Sequence, residues 1–164
     1  AIGNAHVDCF IDGGLSAGIR PHSRAWCLLP PARIATMPKI TLLFASLHAL
    51  LMLGLVLPIA RHRHARRIGL GDGGDTLLAR RIRVHGNFIE HVPFALLVLA
   101  LLELCGLAPT WLWGFGSALL LGRILHALGL SRSGGYSFGR FAGTTLTWLV
   151  FLAMALAGLW LAMR

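Results

Sequence analysis

Residues 86–130 read GNFIEHVPFALLVLALLELCGLAPTWLWGFGSALLLGRILHALGL. Two apolar stretches, 86–106 and 109–130, are joined by the uncharged connection Gly106-Leu107-Ala108-Pro109-Thr110. Each holds close to the ~20 residues that a helix rising 1.5 Å per residue needs to cross a hydrocarbon core of about 30 Å. Only helices and closed barrels satisfy their backbone in lipid, and continuous apolarity excludes the alternation of barrel strands. The short turn then forces an antiparallel helical hairpin.

Working outward, two more apolar stretches, roughly 39–60 and 141–163, flank this hairpin. The sequence therefore predicts an all-α membrane protein, a four-transmembrane-helix bundle spanning residues 37–164. Composition agrees, since 56% hydrophobic and 13% charged residues lie far from the balance of soluble domains. Residues 1–36 differ from the rest: they are punctuated by Gly and Pro and lack both helical and strand periodicity. They read as a disordered or non-native N-terminal extension, with Met37-Pro38-Lys39-Ile40 as the expected native start. Trp111, Trp113 and Trp160 fall where an aromatic belt at one interface is expected. Gly114, Gly116 and Gly122, with Ser117 and Ala118, predict a close-packing surface on the third helix.

The charge is lopsided, with 15 Lys and Arg against 6 Asp and Glu. The arginines lie between the apolar runs, where they meet anionic headgroups, so membrane lipid rather than nucleic acid is the expected partner. Arg61, Arg63, Arg66, Arg67, Arg80, Arg81 and Arg83 occupy the first connection, and Arg132 and Arg140 the third. By the positive-inside rule both connections are cytoplasmic, which puts both termini of the bundle outside the cytoplasm of a bacterial inner membrane. Cys9, Cys27 and Cys105 form neither a CxxC pair nor a metal-ligand spacing with histidine, so no metal is expected. Arg61-His62-Arg63-His64-Ala65-Arg66-Arg67 reads as a topology and headgroup signal rather than a metal site, because alternate positions do not share a helix face. Glu103 falls at the outer interface and suggests no chemistry, while His48 reads as a packed polar residue of the first span.

The informative polar run is Arg80-Arg81-Ile82-Arg83-Val84-His85-Gly86-Asn87-Phe88-Ile89-Glu90-His91-Val92-Pro93. Arg83, Asn87 and Glu90 share one face of a helix, with Arg80 and His91 flanking it. Glu90 stands two turns into the apolar span, where an ionised group facing lipid costs at least ~2.5 kcal/mol, so it should meet a partner helix or a wet cavity. Arg123 and His126 occupy the same end of the third span, and Arg140 opens the fourth. Two readings stay open here. The arginines and the acid could bind a small anionic ligand that also carries an ammonium, or Arg83 and Glu90 could be an ion pair that only fixes packing, with Arg123 and Arg140 as headgroup anchors.

The pattern Arg83-x-x-x-Asn87-x-x-Glu90-x-x-Pro93, with Arg123-x-x-His126 and Arg140, resembles the MAPEG family, the membrane-associated proteins of eicosanoid and glutathione metabolism. The likeness covers residues 37–164. It implies a homotrimer with glutathione, as co-substrate, bound between neighbouring subunits toward the cytoplasm. Arg80, Arg83, Asn87, Glu90, His91, Arg123 and His126 would bind glutathione, and Arg140 would be the catalytic arginine beside its thiolate. The implied activity is that of a glutathione transferase or peroxidase acting on lipophilic electrophiles. Leu130 and His91 stand where catalytic eukaryotic members commonly carry tyrosine, and Arg132 competes with Arg140 for the catalytic position. A non-catalytic binding protein of the same fold is therefore one alternative. A small multidrug-type transporter is another, disfavoured by the strong Lys/Arg bias between the two sides.

Overall fold

The computed structural model describes residues 37–132 and 137–164, without the Arg132 side chain. The readings of residues 1–36 and of Arg132 as a catalytic group fall outside the described residues. Four helices follow one another: α1 (Lys39–Arg66), α2 (Thr76–Leu104), α3 (Pro109–Arg132) and α4 (Phe138–Ala162). All four are long and apolar enough to cross a membrane.

The helix ends lie where local chemistry puts them, and at the loop end they overshoot the apolar stretches. With 28 residues, α1 is about 42 Å long at 1.5 Å per residue, so its last turns carry Arg61 to Arg66 beyond a hydrocarbon core of about 30 Å. Arg67 closes it in the left-handed conformation, φ 54°. The Arg67 N–H donates to His64 O and that of Ile68 to Arg63 O, the Schellman pattern. The next helix starts at Thr76, ten residues before its apolar stretch, because Asp75 is an N-cap. Its Oδ1 accepts from the backbone N–H groups of Leu77 (2.9 Å) and Leu78 (3.0 Å). Arg80, Arg81 and Arg83 thus ride on a regular helix. Between α2 and α3, Gly106 takes φ 81°, and the Leu107 N–H donates to Leu102 O at 3.0 Å. Pro109 then begins α3, where its missing N–H is no loss.

Side chains from all four helices meet in one core, including Phe44, Leu99, Leu112, Leu119, Val150 and Met154. α1 and α4 lie apart, each packing on α2 and α3. The closest approach is between α3 and α4. A Cβ at Gly143 would stand 2.5 Å from both Gly122 O and His126 N, and one at Gly129 would strike the Arg140 backbone. The expected small-residue surface is therefore real at Gly116, which admits the Phe44 ring, and at Gly122, but Gly114 faces open space and Gly129 joins instead. Leu42, Leu50, Leu97, Leu101 and Leu156 point outward, a surface suited to lipid and not to water. Trp111, Trp113 and Trp160 are exposed at the other end of the bundle, and the Arg164 guanidinium lies 3.5 Å over the Trp160 ring.

That end holds one residue whose role the sequence did not suggest. Glu103 is not a lone interfacial acid: it accepts from the backbone N–H of Ile40 (2.9 Å) and Thr41 (2.7 Å), capping α1 from α2. His48 is packed as expected, with Nδ1 2.7 Å from Phe44 O.

Candidate functional site

The Asp75 cap sets the phase of α2, and its polar residues divide between an outer face and the interior. On the outer face Arg83 Nη1 lies 3.8 Å from Glu90 Oε1, with side chains 69% and 51% exposed. Glu90 is thus on the outside of the single chain, and the expected burial of this carboxylate is absent within one protomer. Arg63 of α1 joins Arg83 in lining a shallow depression with Asp72 and Gly86. No local pattern pairs Arg63 with Arg83, because that proximity depends on how α1 packs against α2.

The interior is organised by Arg123, which is 2% exposed. Its Nη1 donates to Asn87 Oδ1 at 3.0 Å and to Asn87 O at 3.3 Å, and its Nη2 donates to Thr147 Oγ1 at 2.8 Å. Thr147 in turn donates to Gly143 O at 2.8 Å. One guanidinium therefore ties α3 to α2 and α4 through charge-assisted bonds. His91 Nδ1 lies 2.9 Å from the same Asn87 carbonyl. His126 is buried as well, one turn along α3 from Arg123. Thr147 was missed in the sequence, where a threonine in an apolar helix carries no distinguishing signal.

Two arginines stand apart. Arg80 turns toward the end of α3, its Nη1 3.5 Å from Ser131 O, and lines a cleft with Leu55, Leu77 and Val84. Arg140 is exposed in the first turn of α4, beside a depression of about 430 Å3 walled by Phe141, Thr144, Thr145 and Trp148. So the chain gathers Asn87, His91, Arg123 and His126 into one interior network with Arg83 and Glu90 outside it. Among the described residues, Arg80 bonds Ser131 O and Arg140 borders the α4 depression, and neither joins Arg83 in lining its depression. At the loop end, His62 Nε2 bonds Asp75 Oδ2 at 2.9 Å while Arg81 Nη1 meets His62 Nδ1 at 3.0 Å. His62 is a clasp for the helix ends.

A model of the MAPEG family matches residues 41–160. The chain belongs to the MAPEG family. Among its relatives is the inner membrane protein YecN of Escherichia coli strain K12, 36% identical over 122 residues, which covers 74% of this chain and 91% of the relative. YecN of Escherichia coli O6:H1 is similar to the same extent. The MAPEG match takes in all four helices and every candidate residue, and with the four spans it identifies an integral membrane protein.

Proposed function

We propose that this MAPEG protein binds glutathione between adjacent copies of the chain, in a homotrimer, on the face that carries Arg83 and Glu90. The observation behind this reading is the outward position of that pair. An ionised glutamate directed at lipid is costly, so the face calls for a polar neighbour, and a second copy with a zwitterionic ligand would provide one. Glutathione has two carboxylates for Arg83 and Arg63 and an ammonium for Glu90. Asn87, its Oδ1 engaged by Arg123, keeps its amide N–H groups for the ligand backbone. Buried as it is, Arg123 acts through Asn87, and His91 and His126 line the inner wall. Arg80, turned toward Ser131 at the end of α3, lies outside this face.

Arg140, from the neighbouring copy, would stand beside the sulfur. A thiol with a pKa near 8.5 is mostly protonated at neutral pH, and an adjacent guanidinium favours the nucleophilic thiolate. The thiolate would displace a leaving group from a lipophilic electrophile arriving through the bilayer. With a lipid hydroperoxide, two thiols would give one disulfide while the peroxide becomes alcohol and water. The positive-inside rule puts this site at the cytoplasmic side of the inner membrane.

Calorimetric titration of the detergent-solubilised protein with glutathione tests the binding step. Wild type should bind and Glu90→Gln should lose about tenfold or more, as expected for removing a charge-assisted bond. Equal affinities would defeat the assignment. Turnover of an aromatic halide or a lipid hydroperoxide that vanishes in Arg140→Ala would support the enzyme. Leu130 and His91, which stand where catalytic eukaryotic members commonly carry tyrosine, favour a second reading, in which the protein binds glutathione without turnover.

A further inference from the structure

A second basic cleft lies outside the proposed glutathione face. It opens between α1 and α2 beside the end of α3, has a volume of about 290 Å3, and is walled by Leu55, Pro58, Leu77 and Val84, with Arg80 and Arg81 at its polar side. An adjoining groove shares Pro58 and Arg81 and adds Arg61 and Arg66. The cleft therefore sits where the apolar run of α1 gives way to Arg61, at the boundary between hydrocarbon and headgroups.

Three observations define its occupant. Among the described residues, no carboxylate bonds directly to the cations there. Residues 37–164 contain four acids. Asp75 is bonded to His62, Glu103 caps α1 at the opposite end, Glu90 stands by Arg83, and Asp72 lines the depression of Arg63 and Arg83. None of them lines the cleft or the groove. Next, both guanidiniums are held by the protein at one nitrogen. Arg81 Nη1 lies 3.4 Å from Pro58 O and 3.0 Å from His62 Nδ1, and Arg80 Nη1 lies 3.5 Å from Ser131 O. Both side chains are thereby fixed at the mouth with further N–H donors to offer. Finally, Gly54 contributes empty space, since a Cβ built there meets nothing within 4 Å. A glycine inside a helix is destabilising relative to alanine, and no close packing among the described residues explains this one.

We infer that the cleft is a specific site for an anionic phospholipid, whose phosphate lies between Arg80 and Arg81 and whose acyl chain runs past Gly54 along Leu55 and Val84. Basic pockets between membrane helices bind anionic headgroups in this way, and the apolar wall distinguishes such a ligand from free phosphate. This goes beyond the glutathione reading and does not depend on it.

The test is native mass spectrometry of the full-length protein released from nanodiscs containing equal phosphatidylglycerol and phosphatidylcholine of identical chains. Wild type should retain phosphatidylglycerol in preference by on the order of tenfold, given a factor of roughly five per basic residue near the surface. Arg80→Gln should reduce that preference. Gly54→Leu, which fills the chain path, should reduce retention of the lipid while leaving helicity and subunit stoichiometry unchanged. Equal retention of the two lipids by wild type would overturn the site. Displacement of the lipid by millimolar inorganic phosphate would reassign it to a free anion. A changed subunit stoichiometry in Gly54→Leu would make the cleft a junction between copies and overturn the lipid. The lipid preference of wild type is read without any variant, so a poorly folding mutant leaves the test intact.

Discussion

Glu103, near the end of α2, holds the first turn of α1 through Thr41: its Oε2 accepts from the Thr41 backbone N–H at 2.7 Å, across 62 residues of sequence. Its Oε1 does the same for Ile40. The first N–H groups of a helix have no partner within it, and α1 has no side-chain cap of its own at Pro38. Glu103→Ala should therefore destabilise the protein by about 1–2 kcal/mol, the range for losing an N-cap. Glu103→Gln, which keeps one acceptor oxygen, should fall between the two. Equilibrium unfolding in mixed detergent micelles measures both, and an unaffected Ala variant would refute the capping role.

Among the described residues, Thr147 is the acceptor for Nη2 of the buried Arg123. Thr147→Val preserves shape and removes that acceptor, leaving a buried charged donor unsatisfied. The expected loss is about 1–3 kcal/mol, read by the same unfolding assay. Thr147→Ser, which keeps the hydroxyl, should recover most of it.

The α3–α4 contact predicts a contrast between glycines. Gly143→Ala forces a methyl group against the backbone of Gly122 and His126 and should destabilise by about 1–3 kcal/mol, as overpacking does. Gly114→Ala meets open space and should be neutral or stabilising by up to about 1 kcal/mol, since alanine is the better helix former. Thermal unfolding of the two variants in parallel distinguishes a steric contact from a general intolerance of substitution.

The N–H groups of Leu78 and then the bond to His62 hold the Asp75 carboxyl below the usual carboxylate range. A carboxylate whose pKa falls on folding stabilises the protein above its unfolded value, near 3.9, and that contribution disappears as pH drops through the folded value. Stability should thus be insensitive to Asp75 between about pH 5 and 8 and fall below about pH 4. Asp75→Asn, which still caps but does not titrate, should show a shallower acid limb in a pH series of unfolding temperatures.

The four spans were legible because unbroken apolarity over some twenty residues has few physical readings in water or lipid. The start of α2 was less so. Half of its first ten residues are polar, and only the Asp75 cap, followed by Leu77 and Leu78, marks a helix there. The capping role of Glu103 was not legible, because its partners are 62 and 63 residues away, a distance that no local pattern crosses. For the site, the shared face of Arg83 and Glu90 followed from helical spacing alone. That Arg123 is enclosed while Arg80 and Arg140 turn aside depends on how α3 and α4 pack, which repeated leucines leave undetermined.

The two clasps on the first helical hairpin act at opposite extremities. Glu103 seizes the beginning of α1, while Asp75 grips His62 near its end. Sliding α1 along α2 by a single turn, about 5.4 Å, would open both fasteners at once. The pair is consequently locked in register like a buckled strap, and a bundle that widens to admit a guest keeps α1 and α2 together.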